Sequence, residues 1–238
     1  MCKSLLTVQI ASKRTEGLGK MKSTFLIVAL GAIAIAAPAS AATNLLTNGG
    51  FENQTFPGTT TYYNVGPSGS GANHPIPPGF GWTVPTNNVD IISYASYGPA
   101  PAGGGDYGLD LVGYGSTGEI SQTLNTVMGR VYNVSFQYSA NPGFTDPMAD
   151  VLVNKAAIGS VTGLSSWQTF TGSFIGTGSP ETFALNETAG GGNAGVFLDN
   201  ISISAVPEPF TWLLMIGGVA MIGAGLRFNR RGALALTA

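Results

Sequence analysis

Cysteine is almost missing from this chain: Cys2 is the only one in 238 residues. No disulfide can form within it, and beyond the extreme N-terminus no thiol is available as a nucleophile or metal ligand. Histidine is as scarce, with His74 alone. That excludes sites built on paired imidazoles, and neither a Gly-rich phosphate loop nor a nucleophile-elbow sequence accompanies it. A single histidine in a Pro-rich loop is expected to be solvated. Positive charge is missing from the middle. Between Ala42 and Ala205 only Arg130 and Lys155 are basic, against ten acids: Glu52, Asp90, Asp106, Asp110, Glu119, Asp146, Asp150, Glu181, Glu187 and Asp199. Such a surface is unsuited to nucleic acid, whose binding needs Lys and Arg to neutralise phosphates, and is compatible with cations and with solubility outside a cell. Long stretches of helical periodicity are absent as well.

What is present is concentrated first at the two ends. Val206-Pro207-Glu208-Pro209 is followed by an uncharged run from Phe210 to Leu226, then by Arg227, Arg230 and Arg231. Seventeen residues make a helix of roughly 26 Å, enough to cross a membrane at the lower limit. Gly217, Gly218, Gly223 and Gly225 are tolerated in lipid, and the basic cluster places the C-terminus in the cytoplasm. Pro207 and Pro209 hold Glu208 in an extended, exposed segment outside that helix. At the other end, Lys22 precedes an apolar stretch from Phe25 to Ala37, and Ala39-Ser40-Ala41 offers a signal peptidase its small residues. Residues 1–41 therefore read as a signal peptide with an extension, and Met21 is an alternative start. Residues 42–205 form the mature domain, 206–231 a processing segment with a transmembrane helix at 210–226, and 232–238 a cytoplasmic tail.

The middle reads as all-β. From Val131 to Tyr138, Tyr132, Val134, Phe136 and Tyr138 alternate with polar residues, the period of a strand with one buried face. Similar segments lie at residues 89–94, 107–112, 119–124, 167–175, 182–186 and 196–203, with Gly, Pro, Asn and Ser between them. This pattern predicts a jelly-roll β-sandwich. Residues 53–80, rich in Thr, Gly, Ser and Pro, read as a long surface loop in which Tyr62 and Tyr63 are exposed.

Two resemblances follow from particular residues. Pro207-Glu208-Pro209, an apolar helix with an early Trp212 and the terminal arginines resemble the PEP-CTERM sorting signal of Gram-negative bacteria. The resemblance implies that an exosortase transpeptidase cuts near the motif, and that the protein is anchored transiently in the inner membrane before passing to the cell surface or the polysaccharide matrix. The opening Asn44-Leu45-Leu46-Thr47-Asn48-Gly49-Gly50-Phe51-Glu52, read as a first strand, Gly81-Trp82, Ile120-Ser121-Gln122-Thr123-Leu124 and the closing strand from Gly195 to Ile203 resemble galactose-binding-like jelly rolls. In particular they resemble the choice-of-anchor C family of surface proteins. This second resemblance implies a structural calcium site at Glu52 and Asp199.

The residues themselves give Asp199 a separate interest. It shares a parity with Phe197, Ile201 and Ile203, so a regular strand would aim it at the apolar side, where a carboxylate needs partners. Those partners are either backbone N–H groups and Asn side chains or a Ca²⁺ ion; Glu52 is equally readable as a turn acid. Sugar binding needs aromatic platforms with a few polar groups. Trp82, Tyr94, Tyr97 and Tyr107 are the candidate residues, with Tyr114 and Trp167 further aromatics; each is also readable as a core side chain. No catalytic set is visible. The sequence thus predicts an exported, non-catalytic surface protein that binds exopolysaccharide, with a purely structural or adhesive matrix protein as the alternative and a secreted glycan-active enzyme third.

Overall fold

Alternation along Val131–Ala140 produces a ten-residue strand whose Tyr132, Val134 and Phe136 are buried while Val131 and Asn133 are exposed. It belongs to a two-layer sandwich, seen in a computed structural model that describes residues 43–56, 61–142, 144–207 and 215–223. The signal segment with Ala39 and Ala41, the residues Glu208 and Pro209, and Arg227, Arg230 and Arg231 lie outside the described residues.

In chain order the strands are β1 (Tyr62–Val65), β2 (Val89–Ser93), β3 (Tyr107–Asp110), β4 (Glu119–Asn125), β5 (Val131–Ala140), β6 (Met148–Val153), β7 (Ala156–Thr162), β8 (Gln168–Ile175), β9 (Pro180–Ala189) and β10 (Val196–Ala205); one helical turn, α1 (Tyr94–Tyr97), follows β2. They form a six-stranded sheet in the order β1-β2-β3-β10-β5-β8 and a four-stranded sheet in the order β4-β9-β6-β7. All named pairings are antiparallel. From β3 onward the chain passes back and forth between the sheets, except at the β6–β7 hairpin within the four-stranded sheet, so most neighbours in sequence face each other across the core, as in a jelly roll. Leu109, Leu198, Val134 and Phe136 from one sheet meet Ile120, Val151, Phe183 and Leu185 from the other.

Five sequence expectations change. The opening stretch 44–52 is not a strand; Asn48 and Phe51 have φ of 53° and 55°, and the segment turns. Asn48 organises the turn, since its amide donates to Phe80 O (3.0 Å) and Gln54 Oε1 (2.8 Å) while its carbonyl accepts the Trp82 indole N–H (3.0 Å). Residues 53–80 contain strand β1, and Tyr63 is buried beneath His74, whose ring stacks on it at 3.9 Å. That histidine is therefore packed rather than freely solvated. Strands β6 and β7 fall in a stretch where the sequence pattern predicts none. Finally, Asp199 does not point into the core. Val196 and Leu198 do, and a register shift between Asp199 and Ser202, with Asn200 at φ 51°, returns Ile201 and Ile203 to the core side. The bulge breaks the parity on which the sequence argument rested.

Residues 215–223, within the run expected to span a membrane, are helical and mostly exposed. Among the described residues no helix is long and apolar enough to cross a membrane; the rest of 210–226 lies outside them.

Candidate functional site

The outer face of the six-stranded sheet is acidic and aromatic, although it is largely buried. Asn64 pairs with Asp90, Asp90 with Asp110, and Asp110 with Phe197, so these residues lie in one row across β1, β2, β3 and β10; Asp199 follows two positions along. Asp90, Asp110 and Asp199 are all buried. Burial pushes the Asp90 and Asp199 carboxyls up to about 6 and raises Asp110 well above the usual carboxylate range. Hydrogen bonds oppose these shifts: Asn64 Nδ2 donates to Asp90 (2.5 Å), Asn141 Nδ2 to Asp110 (2.6 Å), and the Val112 N–H to Asp110 (2.9 Å).

Asp199 and Glu52 approach each other around the β2–β3 connection. The Tyr94 hydroxyl donates to Asp199 Oδ2 (2.9 Å) and the Asn200 N–H to its Oδ1 (2.6 Å), while Glu52 Oε1 accepts the Tyr107 N–H (2.8 Å). Gly104 and Gly105 explain why glycine fills this loop. A β-carbon on Gly104 would sit 2.6 Å from Asp199 Oδ2, and one on Gly105 would strike the Glu52 carboxyl. Burial raises Glu52, as do the charge of Asp106 and, for Asp199, the charge of Glu52 itself. Among the described residues no three His, Cys, Asp or Glu side chains converge on a common point. A hard cation here would have to complete its shell from carbonyl and amide oxygens, of which the loop offers Ala102 O and Gly103 O beside the Asn200 amide. The donor types suit Ca²⁺.

A pocket of about 150 Å³ opens at the β1 edge of the same face, lined by Tyr62, Asn64, Asn73, Asp90, Tyr97, Tyr114 and Asn193. Its floor is Asp90 held by Asn64; its walls are three tyrosines, of which Tyr62 is 43% and Tyr114 68% exposed. The loops carrying the walls are fastened. The Asn73 N–H donates to Asn64 Oδ1 (3.3 Å) and the Gly115 N–H to Asn193 Oδ1 (2.7 Å). Exposed rings around a few fixed amides and one carboxylate suit a polyhydroxylated ligand, whose apolar faces stack while its hydroxyls bond. The volume is below that of pockets enclosing drug-sized molecules, typically about 300 Å³ or more. It fits a unit of a chain rather than a whole ligand.

Of the four aromatic candidates from sequence, only Tyr97 lines this pocket. Trp82 is a core residue, 3% exposed, 6.0 Å from Phe51 and 6.4 Å from Phe183 between ring centres. Tyr94 is occupied by Asp199 and by Trp167, whose indole N–H is fixed to Pro99 O (3.0 Å). Tyr107 packs on Phe56. Asn64, Asn73, Asp90 and Asn193 carried no sequence signal, because a polar residue on a short edge strand or in a loop reads as solvated. Tyr62 lies on β1 in a stretch whose composition predicts a loop, and Tyr114 is one of the further aromatics.

No family model matches this chain, and no curated protein does. Solved structures similar in architecture include carbohydrate-binding module domains. The CBM22-1 xylan-binding domain from Paenibacillus barcinonensis Xyn10C is 17% identical, covers 71% of this chain and 99% of its own, and has a TM-score of 0.45. TmCBM61 in complex with beta-1,4-galactotriose is 16% identical, with coverages of 69% and 100% and a TM-score of 0.44. The Podospora anserina GH26-CBM35 beta-(1,4)-mannanase is also 16% identical, at a TM-score of 0.38; the alignment covers 51% of this chain and 26% of that one.

Proposed function

We propose that this chain is an exported, non-catalytic protein whose sandwich binds carbohydrate at the surface of the cell or in its polysaccharide matrix. The observation that carries the reading is the tyrosine-walled pocket over Asp90 and Asn64. The burial of Asp110 and Asp199 on this face argues against their serving as paired acids for glycoside hydrolysis, which need an open approach to the bond. Delivery belongs to the same reading: a signal peptidase removes residues 1–41, and an exosortase acts at Pro207-Glu208-Pro209 after the run 210–226 has anchored the protein in the inner membrane. Glu52 and Asp199, with carbonyls of the 102–103 segment, would hold a structural Ca²⁺ ion that ties the β2–β3 loop to β10. Its contribution would be stability, not chemistry.

The test is binding of the purified protein to the host's exopolysaccharides and to arrayed glycans, alongside Tyr62→Ala and Tyr114→Ala variants. Binding that falls at least tenfold in these variants supports the reading. Failure of the unaltered protein to bind any of them overturns it.

A further inference from the structure

One end of the sandwich carries apolar side chains that no other described residue covers. Val127 and Met128 form the turn between β4 and β5, Val131 begins β5 and Ile175 ends β8; Val131 and Ile175 are direct partners, and Met128 is 79% exposed. A turn normally presents Gly, Asn, Asp or Ser to water, and contiguous exposed apolar side chains mark a contact surface. Arg130 stands in the same turn, one of only two cations between residues 42 and 205.

The exit of the chain identifies the partner. The Val206 N–H donates to Val131 O at 2.9 Å, so the polypeptide leaves the domain beside this patch. From Val206 to Phe210 are four residues, at most about 14 Å of extended chain. If residues 210–226 enter a membrane, the patch is held within that reach of its surface. Charge favours the same orientation: an anionic lipid surface repels the acidic body and attracts Arg130.

We infer that the β4–β5 turn and the end of β8 form a tip that seats on an anionic phospholipid surface, with Val127, Met128 and Ile175 at the boundary of headgroups and acyl chains and Arg130 among the headgroups. This rests on the membrane anchor proposed above. The tyrosine pocket then faces away, because the loops bearing Tyr114 and Asn193 adjoin the far ends of β4 and β9, about 23 Å off along seven residues of strand.

The test uses the full chain, Cys2→Ser, in vesicles containing phosphatidylglycerol and lipid-borne quenchers, with an environment-sensitive fluorophore on a single introduced thiol. Met128→Cys and Ile175→Cys should be quenched at least fivefold more than Tyr114→Cys, with melting temperatures unchanged. Val219→Cys reports on the anchor. If its label is quenched while those at 128 and 175 are not, the seated tip is wrong and the anchor stands. If the label at 219 is unquenched, the anchor fails and the tip with it. A label at 128 shielded from lipid, together with unlabelled Met128→Cys forming a disulfide-linked dimer on mild oxidation, would assign the patch to self-association and overturn the inference.

Discussion

Asp110 and Glu187 meet over Gly195: a β-carbon there would lie 2.9 Å from Oδ1 of the first and 2.9 Å from Oε1 of the second. One comes from β3 in the six-stranded sheet and the other from β9 in the four-stranded sheet, so the pair bridges the two layers. Both oxygens of Glu187 accept the Val196 N–H, and Asp110 accepts from Val112 and Asn141. Burial holds Glu187 up at about 9, helped by the charge of Asp110, and keeps Asp110 raised as well. A carboxyl raised by burial in this way holds its proton to a higher pH than it does in the unfolded chain.

The sign of the pH dependence follows. A folded pKa above the unfolded one gives stability that is complete below the unfolded value and is lost as pH rises toward the folded value. Melting temperature should fall between about pH 4.5 and 9, with each retained proton contributing a slope of about 1.4 kcal/mol per pH unit. Glu187→Gln should flatten that fall and melt above the unaltered protein at pH 8. A flat profile in the unaltered protein would show that the pair is ionised.

The core and pocket aromatics separate cleanly by substitution. Trp82→Ala should cost about 3–5 kcal/mol by removing a buried ring, visible in denaturant midpoints. Tyr114→Ala should change stability by no more than about 0.5 kcal/mol and still abolish glycan binding. The reverse pattern would move the site away from the pocket.

Calcium is tested by chelation. Removing it should lower the melting temperature, and Asp199→Ala should erase the difference between chelated and calcium-loaded protein. At a hundred times Kd the ion would add about 2.7 kcal/mol. Superimposable melting curves would leave Asp199 held by Tyr94 and Asn200 alone.

The sorting segment predicts a change of mass. Intact protein recovered from the cell surface should lack the residues beyond the Pro207-Glu208-Pro209 region, and replacing those three residues should leave the full C-terminus on a protein retained in the inner membrane. Retention of the C-terminal run by the surface form would mean that it is a permanent anchor.

Asn200 offers a test of the bulge. Its φ of 51° favours glycine among ordinary substitutes, so Asn200→Gly should be more stable than Asn200→Ala by about 1 kcal/mol or more, the opposite of the usual order in a strand. Equal stability would mean that the bulge relaxes.

Much of the sandwich was legible because strands with one buried face announce themselves: Val131–Ala140 carries its alternation openly. Strand β7 did not, since Ala156, Ala157, Gly159 and Ser160 supply little β-branched signal, and β1 is only four residues long within a Pro- and Gly-rich stretch. Asp199 misled for a different reason. Two-residue periodicity assumes an unbroken strand, and one left-handed asparagine reverses it. The other acids misled most, because sequence counts them as surface charge while the fold buries Asp90, Asp110, Glu181 and Glu187. Their burial depends on which loops close over them, and that is a tertiary property.

Strand β10 has a mechanical consequence. It joins the Asn193 loop at the pocket to Val206 at the exit, ten residues or roughly 33 Å apart, and is paired along its length with β5 on one side and near its start with β3 on the other. Tension between a held glycan and an anchored C-terminus would run along the strand. It would load the β5 ladder in shear, where many hydrogen bonds must break together, rather than peeling them one at a time.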